Sequence, residues 1–174
     1  MTIAPTKPIH PRGYGFGAAT LIIALATIVT ALAFEYLGGF APCELCLQQR
    51  YAYYAAIPLL FIALVLLTSD QPKFASAIFL LVAFAFLANA GLGVYQAGAE
   101  WKFWPGPETC GTSQGVATNA SDLLRELGTT RVIRCDEASF RFVGLSFAGW
   151  NVVVCLLLFI YSLKAASAAM TRHT

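Results

Sequence analysis

Charge is what this sequence has least of. Only 11% of its 174 residues are Asp, Glu, Lys or Arg, whereas an ordinary soluble domain carries about 25%. The 11 basic and 9 acidic side chains nearly cancel, leaving +2, so there is no basic face of the kind that binds nucleic acid. Cysteine is scarce as well: five residues are too few to staple a disulfide scaffold, though enough for a redox or metal site. Internal repeats and low-complexity tracts are missing. Apolar residues fill the space, at 58% of the chain with a mean hydropathy of +0.68. That composition excludes a disordered chain, and a water-soluble fold of this size has no core large enough to hide it. The solvent must be a bilayer.

A helix needs about 20 apolar residues to cross roughly 30 Å of hydrocarbon. Four runs of that kind occur, at about 16–34, 47–67, 74–94 and 144–163. They predict an all-α membrane protein, a single four-helix bundle. Lys7 and Arg12 ahead of the first run, with Ala31, Leu32 and Ala33 at its end, resemble a secretory signal. The run is nevertheless longer than the 7–15 residues or so of a signal core, which favours a retained span.

An even number of spans puts both termini on one side. The tails and the tight turn at 68–73 carry Lys7, Arg12, Lys73, Lys164 and Arg172 against Asp70 alone, and this density of bases places that side in the cytoplasm. The loops at 35–46 and 95–143 then lie outside, where disulfides persist. They hold Cys43, Cys46, Cys110 and Cys135, while Cys155 falls mid-span. Within the long loop, Ser121 to Gly128 predicts a short capped helix with a leucine face, either lying on the membrane surface or packed on the protein.

The sharpest local feature is P-C-E-L-C-L-Q-Q-R, from Pro42 to Arg50. It puts Cys43 and Cys46 about a turn apart at a helix N-terminus, beside free N–H groups and the positive dipole end, which lower thiol pKa values. Arg50 follows one turn deeper, at the edge of the hydrocarbon, where a cation is costly and marks a functional candidate. The alternative is an arginine snorkelling to the headgroups beside an aromatic belt of Tyr51, Tyr53 and Tyr54. Dipole end, cation and dithiol beside lipid suit an apolar electron acceptor that becomes anionic on reduction.

Cys110 and Cys135 form a second candidate pair, either a static bridge worth roughly 3 kcal/mol or a partner for exchange with the first pair. A four-thiolate zinc centre competes, although the spacing lacks a second close ligand pair. His10 and His173 lie in the tails, on the opposite side. Cys155 sits among valines and leucines as a small buried hydrophobe. Asn89 and Asn151, roughly 8–11 Å inside their spans at 1.5 Å per residue, are expected to meet in an interhelical hydrogen bond. Trp101, Phe103 and Trp104 are interface anchors ahead of a Pro105-Gly106-Pro107 turn.

Taken together, C-E-L-C-L-Q-Q-R, W-P-G-P-E-T-C in the long loop, R-C-D-E-A-S-F-R-F-V-G-L-S-F-A-G-W-N before the fourth span and the four-span layout resemble the disulfide bond formation protein B (DsbB) family over nearly the whole chain. The resemblance implies a bacterial inner-membrane enzyme that reoxidises a periplasmic DsbA-like dithiol oxidase and passes two electrons to membrane quinone, ubiquinone or menaquinone. It further implies that the partner's thiol attacks Cys110, that Cys135 resolves the mixed disulfide, and that Cys43 exchanges with the loop pair. Cys46 would deliver the electrons to quinone, with Arg50 stabilising the negative charge. Some relatives have a histidine just after span three, where this chain has Tyr95, Gln96 and Glu100.

Overall fold

The computed structural model describes residues 11–40, 42–106 and 141–171. Four helices dominate: α1 (Pro11–Tyr36), α2 (Glu44–Thr68), α3 (Pro72–Glu100) and α4 (Phe147–Met170). All four are long and apolar enough to cross a membrane. They pack as a ring, with α1 against α2 and α4, and α3 against α2 and α4; the α3–α4 seam is the most extensive. Phe79, Phe86, Leu60, Leu67, Val82 and Leu158 fill the interior, while Ile22, Val29, Phe61, Leu81 and Phe84 face outward. An apolar exterior is what lipid requires.

The helix ends follow local chemistry. Pro72 opens α3, where its missing N–H is no loss. Asp70 (φ 55°) and Lys102 (φ 63°) take the left-handed conformation after α2 and α3. Beyond them the N–H groups of Gln71 and Phe103 return to the carbonyls of Leu66 and Gly98, the Schellman arrangement that caps orphan carbonyls.

The helices overrun the apolar runs at several ends, α1 starting at Pro11 and α4 reaching Met170, and two of the differences bear on the site. α3 continues past Val94 through Glu100, because Gln96 and Glu100 turn inward and are buried. At the fourth span, Gly144 belongs to a hairpin in which β1 (Arg141–Phe142) pairs antiparallel with β2 (Leu145–Ser146). Val143 (φ 53°) and Gly144 (φ 82°) make its two-residue turn, the positive-φ pair that suits strand twist. The Ser146 hydroxyl then accepts the Gly149 N–H and starts α4. The expected loop helix at Ser121–Gly128, and Cys110 and Cys135, lie outside the described residues.

The α3–α4 seam is close because its contact residues are small. A Cβ at Gly93 would lie 2.7 Å from Val152 Cγ2 and 3.3 Å from the Ala148 carbonyl oxygen, so only glycine lets the backbones approach in this way. Gly91, two residues earlier and on the opposite face of the helix, meets nothing within 4 Å. Gly93→Val should therefore destabilise the detergent-solubilised protein by about 1–3 kcal/mol, while Gly91→Ala is neutral or slightly stabilising. Thermal unfolding of the two variants checks this, and equal effects would count against the close seam.

Candidate redox site

Pro42 stands just before α2 and Cys43 is its N-cap, with φ −77° and ψ 166°. The Cys43 sulfur accepts the Cys46 N–H at 3.2 Å, a role more often filled by a Ser or Asp oxygen. Cys43 and Cys46 are joined as a disulfide with a Cα–Cα distance of 5.0 Å. Cys43 is buried and Cys46 half-buried. The redox-capable bond is thus built into the positive end of the helix, where developing thiolate charge is favoured.

Gln96 of α3 reaches across to this bond. Its Nε2 lies 3.3 Å from both the Cys43 and the Cys46 sulfur and 3.5 Å from Glu100 Oε1. Its Oε1 accepts from Gln49 Nε2 at 2.7 Å. Gln49 Oε1 in turn accepts from Asn151 Nδ2 at 2.6 Å, and Asn151 Oδ1 accepts the Tyr53 hydroxyl at 2.7 Å. Gln49 was not foreseen as part of the site, and Tyr53 was expected only as a belt residue. The available signal was polar residues at i, i+4 inside apolar spans, namely Gln49 with Tyr53, Gln96 with Glu100 and Asn151 with Cys155, since that spacing shares one helix face.

Three expectations change as a result. Tyr51 and Tyr54 are exposed as belt residues, but Tyr53 is only 3% exposed and turns inward because Asn151 offers its hydroxyl a partner. Asn89 and Asn151 approach one another through Cys155: Asn89 Nδ2 lies 3.3 Å from its sulfur, which lies 3.5 Å from Asn151 Oδ1. Cys155 is fully buried, yet it has polar company, including the Tyr53 hydroxyl at 3.3 Å.

Arg50 is ion-paired with Glu35 at the end of α1. Their side chains are 13% and 23% exposed, so the cation is held by a carboxylate and does not snorkel free. Glu100, at the other edge of the site, is 7% exposed, and its Oε2 has no hydrogen-bond partner among the described residues. Its carboxyl is approached by the Gln96 amide and the Ser146 hydroxyl, with Arg141 nearby. Trp104 folds back over Gly98, donating Nε1–H to the Tyr95 carbonyl at 2.9 Å and stacking on Tyr95. Cys43, Cys46 and Arg50 thus share one end of the bundle; Cys110 and Cys135 lie outside the described residues.

The family model for "Disulfide bond formation protein DsbB" matches residues 15–165. Disulfide bond formation protein B of Marinobacter nauticus is 27% identical over 154 residues, covering 85% of this chain and 88% of that protein. Uncharacterized protein RP370 of Rickettsia prowazekii is 20% identical over 144 residues, 80% of this chain and 81% of its own length. No solved structure matches.

The Glu35–Arg50 contact makes a stability prediction. Removing either partner strands the other at low exposure, so a double-mutant cycle of Glu35→Gln and Arg50→Gln should return a coupling of about 1–2 kcal/mol, between the values for exposed and fully buried pairs. Unfolding of the four proteins in the same detergent measures it, and a coupling near zero would mean that the pair does not form.

Proposed function

The chain belongs to the DsbB family of disulfide bond formation proteins, and from that membership we propose a quinone-dependent protein-dithiol oxidase of the bacterial inner membrane. Its termini face the cytoplasm and its four relay cysteines the periplasm. The observation that carries the proposal is the Cys43–Cys46 disulfide at the N-terminus of α2, contacted by the Gln96 amide and one helical turn from the Arg50–Glu35 pair.

The substrate is the dithiol of a soluble periplasmic oxidase of DsbA type. Its thiolate attacks the Cys110 sulfur of a Cys110–Cys135 disulfide, forming a mixed disulfide and releasing Cys135 as a thiolate; the partner's second thiol then resolves the mixed disulfide, so that the partner leaves oxidised and the loop pair is left as two thiols. Cys43 then exchanges with the loop pair, and the Cys43–Cys46 bond opens to two thiols while the loop disulfide re-forms. Each exchange breaks one S–S bond and makes another, so the two electrons and two protons of the partner dithiol end on Cys43 and Cys46. Of these two, Cys46 is the more accessible, which suits it to face an acceptor arriving from the lipid.

The residues present suit a quinone. Its oxygens need donors or positive charge, and the site offers the Arg50 guanidinium, with Cys46 as the adjacent reacting sulfur, next to apolar helix surface. When bound, quinone supplies the two-electron sink for the reduced pair. Arg50 keeps that corner of the site positive where negative charge develops, and Glu35 holds the guanidinium in place.

The test combines purified protein, a reduced thioredoxin-like oxidase and a short-chain quinone, following quinone absorbance against loss of partner thiols. One quinone should be reduced per dithiol oxidised. Mixed with the partner in its oxidised form, Cys135→Ser should accumulate a covalent complex, since the lone Cys110 thiolate opens the partner's disulfide and no Cys135 remains to release it. Arg50→Ala should slow quinone reduction by about tenfold or more, equivalent to 1.4 kcal/mol or more of lost stabilisation, while exchange with the partner continues. Cys155→Ser should retain turnover. Absence of any transfer, with both pairs stably oxidised, would overturn the oxidase assignment in favour of static disulfides.

A further inference from the structure

The polar side chains beneath the disulfide form a chain with a single direction. Tyr53 O–H donates to Asn151, Asn151 Nδ2–H to Gln49, and Gln49 Nε2–H to Gln96. Gln96 Nε2–H then points at both sulfurs. The direction follows from chemistry at one end: a disulfide sulfur carries no hydrogen, so Gln96 must present its donor. Its oxygen then faces Gln49, which must donate in turn, and the same constraint passes to Asn151 and Tyr53. Every amide dipole therefore has its positive end towards Cys43 and Cys46.

We propose that Gln96 is a catalytic donor that stabilises the thiolate formed when the Cys43–Cys46 pair is reduced, and that Gln49, Asn151 and Tyr53 are positioning residues that aim and polarise its amide. The inference rests on the proposed redox role of that pair. Reduction breaks the S–S bond and adds two electrons and two protons from a dithiol, which itself becomes a disulfide. Loss of one thiol proton to solvent leaves the thiolate, the nucleophile for any onward step. A donor fixed before charge appears needs no reorganisation, hydrogen bonds to ionised groups are stronger than neutral ones, and bonds in a chain reinforce one another at low dielectric.

This arrangement exceeds what helix packing requires. Gln49 and Gln96 are 5% and 3% exposed, on facing helices, and α4 supplies the third amide. Interhelical adhesion alone has no need of a common donor direction ending on a reactive bond. Among the described residues, the charged and titratable groups about the site are Glu35 on α1; Glu44, Arg50 and Tyr53 on α2; Glu100 on α3; Cys155 on α4; and Arg141 on β1. Glu100 also accepts from Gln96 and competes with the sulfurs for its hydrogens, a competition that thiolate charge shifts towards sulfur.

The test is alkylation of the full-length, dithiothreitol-reduced, quinone-free protein by iodoacetamide across a pH series, with Cys43, Cys46 and Cys155 resolved by peptide mass spectrometry. At pH 7, Gln96→Leu should alkylate at Cys43 and Cys46 about tenfold more slowly, one unit along the titration. Gln49→Leu and the conservative Tyr53→Phe should slow it by about two- to fourfold, as expected for indirect polarisation. At high pH, where all thiols are ionised, the variants should converge on the wild-type rate. Asn89→Leu removes a buried amide outside the chain and should leave the profile unchanged.

Wild-type profiles for Gln96→Leu and Tyr53→Phe would overturn the proposal and leave the amides as packing contacts. So would an equal slowing in Asn89→Leu, or a slowing that persists at high pH. Failure of the redox reading would show separately, as a wild-type pair that ionises and alkylates normally but transfers no electrons to quinone.

Discussion

Lipid supplies no hydrogen bonds, and that constraint shapes the end of this bundle that carries the Cys43–Cys46 disulfide. An inward-facing hydroxyl can turn back on its own helix, as Thr20 does to the Phe16 carbonyl, but the longer amides of this site reach partners on neighbouring helices. Gln49, Tyr53, Gln96 and Asn151 meet the requirement together, on three helices, in one connected set. Their mutual satisfaction fixes how α2, α3 and α4 are rotated about their axes. The disulfide is the only member of the set that carries no donor, and the chain ends there.

At the same end of the molecule several fixed dipoles converge on the disulfide. The first turn of α2 directs its dipole at Cys43 and Cys46, the Cys43 sulfur caps the helix, and the Gln96 amide approaches from the side. Arg50 is the one full positive charge on α2, and its ion pair with Glu35 holds it in place. Fixed dipoles perform most of the electrostatic work, which suits a site at the edge of hydrocarbon, where an unpaired charge would be costly.

Small residues let these contacts form. Gly93 brings α3 against α4 near Val152 and Ala148, adjacent to Asn151. Gly98 lies under Trp104, whose ring atoms would be only 2.0 Å from an added Cβ, so the indole closes over the end of α3. Membership of the DsbB family gives this architecture its biochemical setting; the donor network describes how this chain prepares its disulfide for thiolate chemistry.

Four spans were readable from composition and run length, because in lipid only a helix satisfies its own backbone over about 20 residues. The placement of Cys43 and Cys46 at a helix start was readable too, since proline and the C-x-x-C spacing act within a single turn. The partners of the polar residues were not. These helices are apolar on nearly every side, so sequence periodicity picks out no inward face, and Tyr53 passed for a belt residue like Tyr51. Arg50 and Glu35 are 15 positions apart across a loop, and the Gln49–Asn151 contact spans 102. Such contacts depend on the rotation and closeness of packed helices, which arise from the fit of Gly93, Ala148 and their neighbours across the seams, a property of the assembled bundle rather than of any local stretch of chain.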